Sequence, residues 1–402
     1  MKSELARRIV FTLGALLVYR LGCYIPVPGI SVSDPQIPGV TIVSASRFSI
    51  FSLGIWPYLS AAILIQLVSM VSSKLGALPR KGEAGRRKIA RYTIVLAVFL
   101  AAFHAFGNAS ILQGIPNFVN EPGGLFLLST MVTLTGGTIF LIWLSEQITA
   151  RGIGNGLALI LFAGVAAEMP DEIASMVQLV RQGALSAGRV SWLGIFWAAL
   201  VGLVVFFELA RRRVPVEFTG RKLGDRLLPA QSTHLSLKLN SAGLMPTVVA
   251  PWLYLLPLTI AGLVFDHTSP RLMAVYRLFQ EYHMGRVILT SVAIIILAFI
   301  YTAFVVDPEH AADSLKKYGG VIPGVEPGEA TAAHLDRVVS YTTCIGAVYL
   351  AAVFLIPELL LFYSQAPFYL GGTTVLVVVC TVLDIETQVR GRSLTEPGGV
   401  FS

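Results

Sequence analysis

Charge is scarce in this chain of 402 residues: Asp, Glu, Lys and Arg together make up 13%, against 55% hydrophobic residues. With a mean hydropathy of +0.73, that balance excludes a soluble globular protein and leaves a polytopic membrane protein. Cysteine is nearly absent. Cys23, Cys344 and Cys380 each lie in or beside an apolar run, with neither disulfide nor metal-ligand spacing. The histidines, His104, His234, His267, His283, His310 and His334, are scattered and form no HExxH-type arrangement. No catalytic or metal site is found and no cofactor is implied, so the chain is expected not to be an enzyme. Carboxylates are missing from the middle of the apolar runs: Glu146, Glu208, Glu358 and Asp384 sit at their ends. An ion-coupled pump normally buries such groups at mid-membrane, and their absence weighs against one.

What is present is a succession of apolar segments at about 8–25, 55–73, 92–107, 124–144, 153–167, 192–207, 242–265, 287–306, 338–357 and 367–383. The fifth and sixth are short for a span unless neighbouring helices cover their ends. The first has Lys2, Arg7 and Arg8 ahead of it but no small-residue cleavage site after it, which makes it a retained span. Ten spans place both termini on one side. Along that topology 23 of the 30 Lys and Arg residues fall on the side of the N-terminus, and the positive-inside rule makes that side the cytoplasm.

The second segment starts at an unusual octet. Gly54-Ile55-Trp56-Pro57-Tyr58-Leu59-Ser60-Ala61 lines up with Gly243-Leu244-Met245-Pro246-Thr247-Val248-Val249-Ala250. Both read Gly, aliphatic, bulky apolar, Pro, any, aliphatic, any, Ala at the start of an apolar run. A helix beginning near Ile55 has about 19 residues to Ser73, roughly 28 Å, close to a hydrocarbon thickness. Paired Gly/Pro-interrupted spans in two halves of a chain are the mark of an internally duplicated transport protein. Two ordinary Gly/Pro helix starts would read the same way. Gly152-Ile153-Gly154-Asn155-Gly156 looks like a phosphate loop, but it opens a membrane helix rather than following a strand. Small residues that let backbones approach account for it better.

Three cytoplasmic stretches stand out. Residues 74–91 hold seven basic residues and one acid, residues 211–240 hold seven more basic residues, and residues 307–337 are long and mixed in charge. Basic loops fix topology and meet anionic lipid, yet thirty residues between spans exceed what topology needs, which suggests docking. The neutral polar residues Gln66 and Asn240 lie in or just before spans, where they can hydrogen-bond across a helix pair.

Seven strings, in order, carry a family resemblance: RLGCYIPVPGI, SIFSLGIWPYLSA, KGEAGRRKIARYT, LSEQITARGIGNGLALILFAG, LPAQSTHLSLKLNSAGLMP, VIPGVEPGEAT and FYLGGTTVLVVV. They span residues 4 to about 390, and the chain resembles the bacterial SecY family, the channel subunit of the Sec protein translocase. The resemblance implies an all-α polytopic membrane protein with ten transmembrane helices in two inverted five-helix halves, a clamshell. The halves would be 1–168 and 169–390, with cytoplasmic loops 211–240 and 307–337 and a short cytoplasmic tail at 391–402. The implied function is a protein-conducting channel that passes unfolded secretory polypeptides across the bacterial inner membrane and releases membrane segments laterally. The family closes its pore with a ring of aliphatic side chains, which falls here on Ile55, Leu59, Leu157, Leu161, Val248 and Val377. A dry ring of this kind fits around a moving chain and resists hydrated ions. Its lateral gate is similar to the seam between spans 2 and 7, with polar positions at Gln66 and Asn240. Its cytoplasmic docking surface maps onto Arg211, Arg212, Arg213, Arg221, Lys222, Arg226, Lys316, Lys317 and Glu326. The implied partners are a SecE-like single-helix subunit, a SecG-like subunit, a SecA-like motor ATPase or the ribosome, signal sequences and nascent membrane proteins, and anionic lipid.

Three features depart from the family pattern. The external segment 31–49 is shorter than the family's plug-bearing one. Glu326 stands where the family carries an arginine used with the motor. The tail after Arg390 is short and not basic. A divergent second copy of the channel subunit fits all three. Two other readings remain at this point: an inverted-repeat small-solute secondary transporter, and a regulatory paralogue that does not conduct.

Overall fold

The computed structural model describes residues 2–30, 48–78, 82–113, 118–183, 186–218, 222–223, 226–227, 231–251, 253, 283–364 and 371–394. Its helices are α1 (Lys2–Gly22), α2 (Trp56–Val71), α3 (Ser73–Gly76), α4 (Glu83–Gln113), α5 (Gly124–Arg151), α6 (Gly156–Arg181), α7 (Ala187–Leu209), α8 (Met245–Val249), α9 (His283–Val305), α10 (Pro308–Tyr318), α11 (Glu329–Ser364) and α12 (Gly372–Leu394). Six of these, α4, α5, α7, α9, α11 and α12, contain stretches long and apolar enough to cross a membrane, and α2 and α6 supply shorter apolar helices. Most of the expected seventh span, 242–265, lies outside the described residues, as do most of the external segment 31–49, the tail from 395 and Arg221.

Large apolar side chains point outward as well as inward. On α5, Phe126, Thr130, Leu134, Thr138, Leu141, Ser145 and Ile148 form a buried stripe at helical spacing, while Leu125 is 85% exposed and Leu128 and Val132 are exposed too. Such a helix is stable only where the medium itself is apolar.

The chain divides into two units, Met1–Asp171 with Thr381–Ser402, and Glu172–Cys380. In the first, α1 packs on α5, α2 on α4, and α4 on α5. At one end Val27, Ile30, Ala105, Ala109, Leu112, Phe118, Phe126 and Leu134 form a core. The chain returns there: Val27 N–H donates to Phe48 O at 2.9 Å and Ile50 N–H to Ile25 O at 2.9 Å. The glycine-rich entry to α6 is a structural joint. Ile153 N–H donates to Thr12 Oγ1 at 3.0 Å, Gly154 N–H to Gln388 Oε1 at 3.0 Å, Gly156 N–H to Thr149 Oγ1 at 2.8 Å and Leu157 N–H to Asn155 Oδ1 at 3.0 Å. Amides that a phosphate would need are already taken by α1, α5 and α12. The glycines let the chain pass: a Cβ at Gly156 would overlap Ser145 O.

In the second unit α9 packs on α11, α8 on both, and α7 and α10 on α11. The connection at 211–240, expected as a loop between spans, is built as a β-hairpin. β1 (Arg211–Phe218) pairs antiparallel with β4 (Gln231–Lys238), in register from Arg211↔Lys238 to Phe218↔Gln231, and the short β2 (Lys222–Leu223) and β3 (Arg226–Leu227) pair between them. β5 (Gly320–Val321) adds to β1, giving the strand order β4-β1-β5. Alternation explains it: Val214 and Val216 are buried while Arg211, Arg213, Pro215 and Glu217 face outward. The inward residues meet Ile322, Leu335, Ala311, Leu315 and Val325 in one small core. α10 is delimited by Asp307, whose Oδ1 accepts from His310 N–H at 3.0 Å, by Pro308, and by Gly319 in the left-handed conformation. Within the basic stretch 74–91, α4 begins at Glu83 and carries Arg86, Arg87, Lys88 and Arg91 as an exposed helical extension.

Candidate functional site

The two octets fold alike. Gly54 and Gly243 are left-handed, with φ of 58° and 68°. Ile55 and Leu244 then serve as N-caps without side-chain capping, and Pro57 and Pro246 occupy the first turns of α2 and α8. Leu59 N–H donates to Ile55 O at 3.2 Å and Val248 N–H to Leu244 O at 3.3 Å. Each helix start therefore presents an aliphatic pair one turn apart. Ile55 and Leu59 are 1% and 3% exposed, and Val248 is 3% exposed. The Gly54 turn rests on α5, where Thr138 Oγ1 donates to Gly54 O at 3.3 Å and a side chain on Gly137 would collide with Ile50 O.

Of the six aliphatic ring positions, Ile55, Leu59, Leu157 and Leu161 belong to the first unit, and Val248 and Val377 to the second. Leu157 and Leu161 are half-buried on α6 and Val377 is buried on α12. Gln66 is half-buried on α2, and no hydrogen bond engages its side chain among the described residues.

Asn240 has a more definite setting. The hairpin register continues one step past the strands, with Leu239 N–H donating to Ala210 O at 3.0 Å, which brings Asn240 beside the last turn of α7. Its Nδ2 donates to Glu208 Oε1 at 2.7 Å and to Gly243 O at 3.1 Å, and Tyr349 OH donates to the same Glu208 oxygen at 3.5 Å. Phe207 stacks on Tyr349 at 4.4 Å between ring centroids. Sequence reasoning placed Glu208 at a span end but did not find this cluster. The available signal was the period-two pattern on both sides of the hairpin, which sets Glu208 and Asn240 at its two feet.

The residues expected at a docking surface fall on one body. Arg211, Arg212 and Arg213 on β1, Lys316 and Lys317 in the last turn of α10, and Glu326 are all exposed, and their elements share the small core of Val214, Val216, Ile322 and Leu335. Lys222 and Arg226 lie on β2 and β3 at the far end of the hairpin. Glu326 makes no ion pair among the described residues, and its backbone oxygen accepts from Thr331 Oγ1 at 2.7 Å. No group of three or more His, Cys, Asp or Glu able to hold a metal ion occurs among the described residues.

Comparison with known proteins gives this geometry a context. The SecY family model matches residues 49–386. The protein translocase subunit SecY of Escherichia coli strain K12 is 41% identical over 405 residues, covering 96% of this chain and 91% of that protein. The same subunit of Vibrio cholerae is 39% identical, with coverage of 96% and 91%. Among solved structures, a protein-conducting channel superposes with a TM-score of 0.70 at 18% identity, covering 99% of this chain and 95% of the other. Sec61 from a canine ribosome-channel complex gives 0.64 at 17% identity, covering 99% and 95%. At these identities the structural likeness establishes the channel fold, in which the helices described here match a multi-pass, ten-helix arrangement.

Proposed function

This chain belongs to the SecY family, and on that premise we propose that it is the channel subunit of a bacterial protein translocase in the inner membrane, with both termini in the cytoplasm. Unfolded secretory chains pass between two inverted halves, 1–168 and 169–390, and membrane segments leave sideways between α2 and the span begun by α8, past Gln66 and Asn240. Ile55, Leu59, Leu157, Leu161, Val248 and Val377 close the waist. The carrying observation is the repeated helix start, because it supplies each half with an aliphatic pair held by the same Gly-Pro geometry. A polar, charged mid-membrane site, which a small-solute transporter requires, has no counterpart among these six side chains.

The hairpin and α10 offer a cationic surface for the partner that supplies energy, a SecA-like motor or a ribosome. A SecE-like helix, with or without a SecG-like one, braces the halves. Glu326 on that surface fits an altered motor partnership. Purification from native membrane tests the whole reading. Recovery with a SecE-like helix and with motor or ribosome is expected, followed by passage of a signal-bearing client in reconstituted vesicles. Recovery alone, with uptake of a small solute, would overturn it.

A further inference from the structure

Glu208 is a carboxylate at a span end that the channel reading leaves without a task. It is the meeting point of four elements. It sits in the last turn of α7, accepts from Asn240 at the entry to α8 and from Tyr349 on α11, and lies close enough to the Cys380 thiol of α12 to interact with it. Lys238, the last residue of β4, is near enough to interact with its charge. The entry turn itself passes tightly over α11, where a side chain at Gly346 would press on Leu239 O.

Asn240 shows what the carboxylate holds. The residue is 4% exposed, its buried Oδ1 has no partner among the described residues, and its second Nδ2 bond, to Gly243, is local. Among the described residues, the bond to Glu208 is the one by which this side chain grips another element. An amide donor on a carboxylate, shielded from water, is among the stronger neutral-to-charged hydrogen bonds. The turn that it fixes leads within a few residues to Val248.

We infer that Glu208 is a positioning residue that latches the start of α8 in the closed arrangement and so sets how good a signal sequence must be to open the channel. The inference rests on the channel reading above. The latch sits at the foot of the docking hairpin, because β1 leaves α7 just after Glu208 and β4 returns just before Asn240. A load on the hairpin therefore reaches the latch directly through the backbone. Opening requires Asn240 to leave Glu208, and a well-formed signal or a docked partner supplies the difference.

The test compares two clients, identical except that an arginine interrupts the apolar core of one signal, on the full chain with its partner subunits. Glu208→Gln keeps an oxygen that accepts from Asn240 and Tyr349 but loses the charge, and should fall between wild type and Glu208→Ala. Glu208→Ala should raise the ratio of defective to intact client passage roughly tenfold, the loss of one charge-assisted hydrogen bond from the closed state. Asn240→Asp, which sets two carboxylates against each other, should do the same. A wild-type ratio in Glu208→Ala, or a Gln variant as loose as the Ala variant, overturns the latch. Should both disruptive variants fail to reach the membrane, Tyr349→Phe keeps the ring stack and loses one bond. It should then give a smaller rise of about threefold, and no rise overturns the inference. Amide exchange over 241–249 needs no transport: it should quicken in Glu208→Ala and less in Glu208→Gln. If wild type passes no client at all, the channel reading fails, and the exchange result still decides the latch.

Discussion

Gly54 and Gly243 occupy the same left-handed backbone conformation, each two residues ahead of a proline-containing helix start. At φ near +60° a Cβ crowds the following carbonyl, which costs about 1–2 kcal/mol. Gly243 has open space around its Cα, so an alanine there meets the backbone penalty with no packing clash. Gly243→Ala should lower unfolding stability in detergent by that amount. Gly188, in α7 and equally unobstructed, is the control, and Gly188→Ala should be neutral or slightly stabilising because a helix favours alanine. Equal behaviour of the two variants would remove the strain account.

The joint at the head of α6 gives a second expectation. Thr12 lies on α1, and its hydroxyl accepts the Ile153 N–H while donating to Arg8 O at 2.9 Å. Thr12→Val keeps the shape and leaves a buried amide without an acceptor, at about 1–3 kcal/mol. Thr12→Ser should retain most of the stability. Thermal unfolding of the three forms decides it, and a valine variant as stable as wild type would mean that Ile153 finds another acceptor.

Much of this architecture was legible in the sequence because membrane helices announce themselves by composition. Each expected span with described residues contains a helix, and Gly54 and Gly243 could be paired from the octets alone. What the sequence reading passed over lies where composition is silent. RRRVPVEF and QSTHLSLK alternate with period two, but the prolines and the surrounding charges masked two short strands whose apolar faces are complete only against Ile322 and Leu335 from another loop. Glu208, Asn240 and Tyr349 are far apart in sequence. Their meeting depends on the hairpin register and on α11 packing, neither of which a single-sequence pattern encodes.

The body built on the hairpin gives a third expectation. Val216 is 1% exposed at its centre, so Val216→Asp would bury a carboxylate among apolar side chains at a cost of several kcal/mol. The hairpin should open to protease at the basic residues Arg211, Arg212 and Arg213, while the helical core resists. Partner association should fall with it. Protection equal to wild type would show that the hairpin does not depend on this core.

The proposed ring makes a fourth. Leu59 and Val248 are both nearly fully buried and one turn from their N-caps. If these residues close the waist as proposed, Leu59→Asn or Val248→Asn puts an amide into a dry constriction, which draws water and lowers the barrier to ions. Reconstituted bilayers should show a raised resting conductance for either variant, and discrimination among signal sequences should loosen. Unchanged conductance in both would remove these residues from the waist.

Glu326 carries the last expectation. It is exposed, follows β5 closely and has no ion pair among the described residues, although Lys316, Lys317 and Arg337 share its region of the chain. Its side chain faces outward on the surface proposed for docking. The family resemblance puts an arginine here, so the surface differs from the usual one by two charges. In water a unit pair at 4 Å is worth about 1 kcal/mol, and salt weakens it. At a partly desolvated interface, a like-charge juxtaposition costs several kcal/mol. A motor surface shaped to meet arginine should therefore bind this protein weakly. Glu326→Arg should strengthen association with a SecA-type motor by at least tenfold, about 1.4 kcal/mol, and raise motor-driven transport in parallel. The gain should shrink as salt is added, because it is electrostatic. Wild type binding and transporting as well as the arginine variant, at low salt and side by side, would show that Glu326 does not set the partner.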